Sequence, residues 1–153
     1  MLRKVLKFLI YLAFLSNIYP AKEITGYSTG IEKNYLFKIN EALDNENYEK
    51  AIKLLKKEIK INKTNADIYN LLGFAYRKNN NYKLSLISYK RALKIDPSHL
   101  KAHNYIGITY IKMGNLDESK KHLQKLKMLC NSLCEEYKTL NTKLGNATKK
   151  ENK

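Results

Sequence analysis

The sequence contains no tryptophan, two cysteines, two prolines and six glycines among its 153 residues. So few cysteines exclude a disulfide-rich scaffold and a four-cysteine zinc site. The scarcity of proline and glycine excludes a collagen-like chain or one dominated by flexible linkers. Hydrophobic residues make up 44% and charged residues 28% of the chain, proportions typical of a folded domain with an ordinary core.

Acidic residues are also scarce. The 14 Asp and Glu oppose 29 Lys and Arg, which leaves a formal charge of +15. An excess of basic residues can indicate binding to nucleic acid. These lysines, however, are scattered at the spacing of solvent-facing positions, and the N-terminal sequence is typical of exported proteins. We therefore expect no nucleic-acid partner; an anionic membrane or envelope polymer is the better electrostatic alternative.

The N-terminal segment, 1–21, has the order of an export signal. Residues 1–4 are short and basic, and the run that follows to Leu15 is apolar with one exception. That run is shorter than the roughly 20 apolar residues that span a bilayer. Signal-peptide cleavage after Ala21 would place the bulky Tyr19 at the third position before the cut, where a small residue is preferred. We expect a signal peptide over 1–21 and a periplasmic or secreted protein, with an uncleaved amphipathic anchor in the inner membrane, or a buried core helix, as the alternatives.

The chain repeats itself with a period of about 34 residues, which predicts stacked helix pairs. The aligned positions are Tyr35, Tyr69 and His103; Tyr48, Tyr82 and Leu116; Ala51, Ser85 and Ser119; and Leu55, Tyr89 and Leu123. The repeats are 32–65, 66–99 and 100–133. Each contains two windows with apolar residues at helical spacing, separated by polar turn residues.

These positions resemble the tetratricopeptide repeat, whose pattern is a bulky residue, Leu-Gly, Tyr, a small residue, an aromatic residue, Ala and Pro. The middle repeat carries Tyr69, Leu72-Gly73, Tyr76, Tyr82, Ser85, Tyr89, Ala92 and Pro97. The first repeat departs from it at Lys38-Ile39 and Lys63, as terminal repeats do. The resemblance implies an all-α, right-handed α-α superhelix of three helix pairs with a capping helix.

The capping helix is predicted at 134–144, where Tyr137, Leu140 and Leu144 lie at spacings of three and four. The repeat domain then covers 32–144, after a linker at 22–31. The Lys- and Asn-rich residues 145–153 are expected to be a disordered basic tail. The stretch from residue 129 to 137 also resembles the ending of small exported bacterial proteins of this repeat type, which implies an envelope location.

Two glycines fall inside predicted helices, where glycine costs about 1 kcal/mol relative to alanine. We expect Gly73 and Gly107 to allow close approach of the paired helix near Ser85 and Ser119.

Cys130 and Cys134 lie where the last repeat helix should turn into the cap. In an oxidising compartment their proximity favours a disulfide, provided that the helix breaks between them; in a reducing one they would be free thiols. Two thiols cannot complete a metal site, and the spacing is not the Cys-x-x-Cys of redox motifs. We predict a disulfide, no metal and no cofactor.

No residue pattern in the sequence is typical of catalysis. His103 takes a bulky core position and is expected to be packed, His99 lies in a turn, and His122 is expected to face solvent. The chain has no glycine-rich phosphate loop and no supported Ser-His-Asp order. We expect no enzyme; a thiol enzyme using the two cysteines is the weakest hypothesis.

The resemblance implies a concave groove lined by the first helix of each repeat. Its residues would be Lys33, Leu36, Asn40, Leu43 and Asp44; Asp67, Asn70, Phe74, Arg77 and Lys78; and Lys101, Asn104, Ile108, Ile111 and Lys112. Asparagines can hold an extended peptide backbone and the apolar members can contact its side chains, although each residue alone could equally be solvated surface. The basic members, Lys101 included, should make one end of the groove positive.

Some tetratricopeptide proteins hold a C-terminal carboxylate in a clamp of Lys, Asn, Asn, Lys and Arg. Asn40 and Lys101 occupy two of those positions here, and Asn70 is one residue away from its own. Leu36 and Tyr105 stand where Lys and Arg are needed. Recognition of chaperone tails is therefore disfavoured.

The sequence thus predicts a non-catalytic scaffold that holds a peptide or protein in its groove, in the bacterial envelope. An electrostatic adaptor on an anionic membrane or envelope polymer is the alternative. Edge-to-edge pairing of two such short arrays is compatible with the pattern.

Overall fold

The computed structural model describes the backbone of residues 27–151 and the side chains of residues 34–150. The predicted signal peptide lies outside these residues. Within residues 27–151 there is no strand. The helices are α1 (Tyr27–Asp44), α2 (Tyr48–Ile61), α3 (Ala66–Lys78), α4 (Tyr82–Ile95), α5 (Leu100–Lys112), α6 (Leu116–Cys130) and α7 (Glu135–Glu151). From Asn34 onward they form one compact unit, the predicted right-handed superhelix of helix pairs with a capping helix.

Each turn within a helix pair contains one residue in the left-handed conformation. These residues, which recur with the period of the sequence, are Glu46, Asn80 and Gly114, with φ of 55°, 58° and 75°. The residue that follows each of them donates its backbone N–H to the carbonyl of the residue five positions before it, and this hydrogen bond ends the preceding helix. That next residue is Asn in all three turns, and its side chain accepts a hydrogen bond from the backbone amide three residues on, capping the next helix. The polar turns therefore end one helix and start the next.

The core runs along the array as three apolar clusters. They consist of Ile39, Ala42, Ala51, Leu55, Ile68, Leu72, Ala75 and Tyr76; then Leu86, Tyr89 and Ile106; then Ile108, Leu126 and Leu140. Each cluster joins neighbouring helices, so every helix pair depends on the next one for burial of its apolar surface.

The two helical glycines allow close contacts. Gly73 contacts its paired helix α4, as predicted, but at Tyr89 and not at Ser85. Gly107, in contrast, does not have its nearest contact with its paired helix α6. A Cβ on Gly73 would lie 2.5 Å from two ring carbons of Tyr89, which stands one turn beyond Ser85 on α4. A Cβ on Gly107 would lie 2.5 Å from a methyl carbon of Leu140. Gly107 therefore contacts the capping helix, because α7 packs against α5 as the first helix of a further repeat would.

The helices extend beyond the predicted boundaries at both ends. α1 begins at Tyr27, inside the predicted linker, where no proline interrupts it. α7 continues to Glu151, so residues 145–151 are helical where a disordered tail was expected. Lysine and alanine favour helix, and Lys149 and Lys150 lie in the last turn, where cations interact favourably with the helix dipole.

α6 ends at Cys130 because the next two residues have positive φ, 58° at Asn131 and 68° at Ser132. The helix break that the predicted disulfide requires is therefore present. The Sγ atoms of Cys130 and Cys134 lie 2.07 Å apart, at bonding distance, and their Cα atoms lie 5.8 Å apart.

Two histidines form a hydrogen-bonded pair between α5 and α6. His103 is buried, as predicted, whereas the expectation that His122 faces solvent is wrong: it is half-buried against His103. The Nε2–H of His103 donates to the carbonyl of Pro97 at 3.0 Å, so its Nδ1 accepts from the Nδ1–H of His122, also at 3.0 Å. The hydrogen bond therefore requires His103 to be neutral, with its proton on Nε2, and requires His122 to carry a proton on Nδ1.

Candidate functional site

Three cavities adjoin one another along α1, α3, α5 and α7, the first helices of the pairs and the cap. The N-terminal cavity, about 410 Å³, is lined by Asn40, Leu43, Asp44, Asp67, Asn70, Leu71, Phe74, Lys101 and Tyr105. The C-terminal cavity, about 710 Å³, is lined by Phe74, Arg77, Lys78, Tyr105, Ile108, Ile111, Lys112, Gly114, Leu116, Thr139, Lys143, Asn146, Ala147 and Lys150. A small cavity of about 160 Å³ near Lys101 and Asn104 reaches the start of α7. We call the whole surface the groove.

Most of the predicted groove residues line these cavities. They are Asn40, Leu43, Asp44, Asp67, Asn70, Phe74, Arg77, Lys78, Lys101, Asn104, Ile108, Ile111 and Lys112. Leu36 is exposed but lines none of the three. The side chain of Lys33 lies outside the described residues.

Three of the predicted contact residues, Asn70, Asn104 and Ile108, are buried, and the last two are committed to internal contacts. The Nδ2 of Asn104 donates to the carbonyl of Glu136 at 2.7 Å, which ties α7 to α5. Ile108 is buried and packs with Leu126 and Leu140. Both residues therefore shape the groove by holding α7 in place, and contribute little free surface to a partner.

Aromatic side chains mark the centre of the groove. Phe74 and Tyr105 line both larger cavities, and their ring centroids lie 5.6 Å apart. The guanidinium carbon of Arg77 lies 5.2 Å from the Phe74 ring and 5.3 Å from the Tyr105 ring, within the range of cation–π attraction. Tyr89 lies beneath them, 5.9 Å from Tyr105, and burial raises its pKa to about 12. Tyr89 is therefore a neutral packing residue that supports the half-buried rings of Phe74 and Tyr105.

Sequence reasoning missed two parts of the groove. Tyr105 was considered only as a failed clamp position, and the wall formed by α7 was not considered at all. The repeat period could have found part of that wall, because one further period carries Tyr105 onto Thr139 and Lys112 onto Asn146.

The groove is electrically polarised. Five basic side chains and no acidic one line the C-terminal cavity. The N-terminal cavity contains Asp44 and Asp67 together with Lys101. The expectation that one end is positive agrees with this arrangement, except that Lys101 lies at the acidic end.

Within residues 27–151, no group of three His, Cys, Asp or Glu side chains is placed to hold a metal ion. None of the helices in the same residues combines the length and hydropathy needed to traverse a bilayer.

Comparisons with known proteins agree with this architecture. Family models described as tetratricopeptide repeat match residues 66–99 and 88–121, and one described as TPR repeat matches 40–80. No curated protein matches the sequence.

Several solved structures share the fold. PcrH in complex with the chaperone binding region of PopD has a TM-score of 0.72 and 14% identity, over 84% of this chain and 98% of that one. The Yersinia enterocolitica type III secretion chaperone SycD, with a peptide of the translocator YopD, has a TM-score of 0.67 and 20% identity. The match covers 80% of this chain and 92% of that one. The second TPR domain of human RPAP3, with an HSP70 peptide, has a TM-score of 0.66 and 22% identity. The match covers 74% of this chain and 92% of that one.

At these identities the likeness establishes the fold, whereas the family rests on the repeat matches. Those matches together span residues 40–121, more than half of the chain. Two of these matches each cover 34 residues, which is the interval at which the left-handed turn residues recur. This chain belongs to the tetratricopeptide repeat family.

Proposed function

We propose that this chain is a non-catalytic interaction module that holds an extended segment of a partner protein in its groove. The observation that carries the proposal is that the two larger cavities share Phe74 and Tyr105. One continuous peptide can therefore contact both cavities and cross the aromatic centre. The peptides named in the PcrH, SycD and RPAP3 structures support this use of the fold.

The groove offers the contacts that an extended peptide needs. The exposed amide of Asn40 can donate to and accept from a peptide backbone. Phe74 and Tyr105 present half-buried ring surface to apolar side chains, and Arg77 adds a positive charge beside them.

Replacing Phe74 and Arg77 together by alanine is expected to weaken partner capture at least tenfold, because it removes the ring and the charge at the centre of the groove. The partner is first identified by crosslinking in the native cell and then used in pull-down, with circular dichroism to confirm retained helicity.

A matched control is Phe37→Ala with Lys38→Ala. It also removes one ring and one positive charge, from an exposed part of α1 that lines none of the groove cavities. This control should capture the partner normally. Undiminished capture by the Phe74/Arg77 double variant would count against the groove as the binding surface.

The alternative, an adaptor on an anionic membrane or envelope polymer, stays a prediction that the comparisons do not support. It requires binding to anionic vesicles that weakens as salt is added, because exposed charges are screened over about 10 Å at 0.1 M salt.

We also propose that the protein works in the bacterial envelope. The order of residues 1–21 and the placement of Cys130 and Cys134 on either side of the turn that ends α6 support this location. Acid-trapped cells treated with an alkylating reagent should then yield protein with no alkylated cysteine, and with two after reduction, as measured by mass spectrometry. Alkylation of both cysteines without reductant would contradict an oxidising location.

A further inference from the structure

The C-terminal cavity holds positive charge that the described part of the chain does not neutralise. Its basic residues are Arg77, Lys78, Lys112, Lys143 and Lys150. Among the described residues, Lys78 has a carboxylate within 4 Å, that of Glu46 at 3.8 Å, and the other four have none. Five cations around one concavity repel one another, so an anionic occupant would relieve that repulsion.

Arg77 is the most constrained of these cations. Its guanidinium lies against the rings of Phe74 and Tyr105 and close enough to the buried hydroxyl of Tyr89 to act on the pKa of that hydroxyl, and its Nε has no hydrogen-bond partner among the described residues. Because a guanidinium presents several N–H donors in a fixed plane, a carboxylate is the partner that matches it best. A side chain held in place by two rings loses little rotamer freedom when it binds.

Apolar surface lies beside these charges. The half-buried side chain of Ile111 lines the same cavity, next to the half-buried rings of Phe74 and Tyr105 at its edge. A small anion would leave this surface uncovered, whereas a peptide with both an acidic and a bulky apolar side chain would use both parts. A flat anionic membrane fits less well, because the charged side chains surround a concave site.

We propose that the C-terminal cavity selects partner segments in which Asp or Glu lies next to a bulky apolar residue. This inference rests on the proposed function and names the chemistry of the partner. The acid would lie within the segment, at cations supplied by α3, α5 and α7, so the cavity requires no free carboxyl terminus.

The test is a selection of random peptides, displayed on phage with blocked C-termini, against the whole protein. The wild type should enrich peptides with Asp or Glu beside Leu, Ile, Phe, Tyr or Met. The best of these, made as a fluorescent synthetic peptide, should bind the Lys112→Glu, Lys143→Glu double variant at least tenfold more weakly in anisotropy titrations. Replacing its acid by lysine should weaken binding to the wild type and restore binding to the variant.

The matched control is Lys60→Glu with Lys90→Glu, which changes the net charge equally at exposed positions that line none of the groove cavities. This control should bind the peptide like the wild type. If both double variants weaken binding equally, or if the enriched peptides carry no acid, the inference fails and the peptide-binding proposal stands. If the wild type enriches no peptide, or binds anionic vesicles instead, both fail.

Discussion

Replacing Gly73 by leucine is expected to lower the free energy of unfolding by about 3 kcal/mol, at the upper end of the usual cost of overpacking a core. A Cβ at this position would already lie 2.5 Å from two ring carbons of Tyr89. Tyr89 is fully buried, so its ring cannot move aside without displacing other core residues. Urea unfolding followed by circular dichroism measures the loss.

The chain provides a matched control at Gly145, which lies in α7 with no atom within 4 Å of the position of its Cβ. Gly145→Ala should stabilise the protein by up to about 1 kcal/mol, because alanine favours helix and nothing obstructs its methyl group. Gly73→Ala should destabilise it, by about 2 kcal/mol. Replacing glycine by alanine is thus expected to lower the free energy of unfolding at Gly73 and to raise it at Gly145. An unchanged urea midpoint for Gly73→Leu would contradict the packing described here.

Gly73 shows how far a periodic sequence predicts a fold. The period placed glycine in a helix and implied that another helix comes close. It could not identify the partner, because Ser85 and Tyr89 are one turn apart on the same face of α4 and either could meet α3. The choice depends on the tilt and separation of the two helices, which follow from packing along the whole array.

The groove, too, was predictable in part from the sequence, and the rest of it depends on packing. The resemblance to the tetratricopeptide repeat, applied to the first helix of each repeat, predicted which residues line it. The composition of residues 145–151 predicted a tail, because lysine and asparagine carry no apolar periodicity. Their helix is continuous with the part of α7 that Leu140 and Leu144 anchor by burial, and this continuity brings Lys150 to the C-terminal cavity.

Stability is expected to fall by about 2 kcal/mol as the pH is lowered from 6.5 towards 4, because of the histidine pair. Burial and the neighbouring His103 lower the pKa of His122 from 6.5 to about 4, and burial also lowers the pKa of His103. The unfolded chain therefore binds more protons in this range than the folded one. Each unit by which the pKa is lowered corresponds to about 1.4 kcal/mol of unfolding free energy. The expected loss is set below the full value because His122 is only half-buried and solvent screens its charge.

Other charges near the pair modify this effect without reversing it. Glu118 opposes the lowered pKa of His122, whereas Lys90 contributes to it. For His103, the positive charge of Lys125 acts in the same direction as burial. Protonating His103 on Nδ1 removes the acceptor of the Nδ1–Nδ1 hydrogen bond, so that bond is lost. Protonating His122 on Nε2 leaves its Nδ1–H donor in place but adds a positive charge to a half-buried site.

The variant His122→Gln isolates the contribution of the pair. Its amide can still donate to the Nδ1 of His103, but it does not titrate. Between pH 6.5 and 5, above the range in which most carboxylates titrate, the unfolding free energy of this variant should depend on pH clearly less than that of the wild type. Above pH 7 the two proteins should show parallel profiles, because the imidazoles are neutral in both the folded and the unfolded chain. Equal slopes in the acidic range would show that the paired histidines are not the groups whose protonation destabilises the fold.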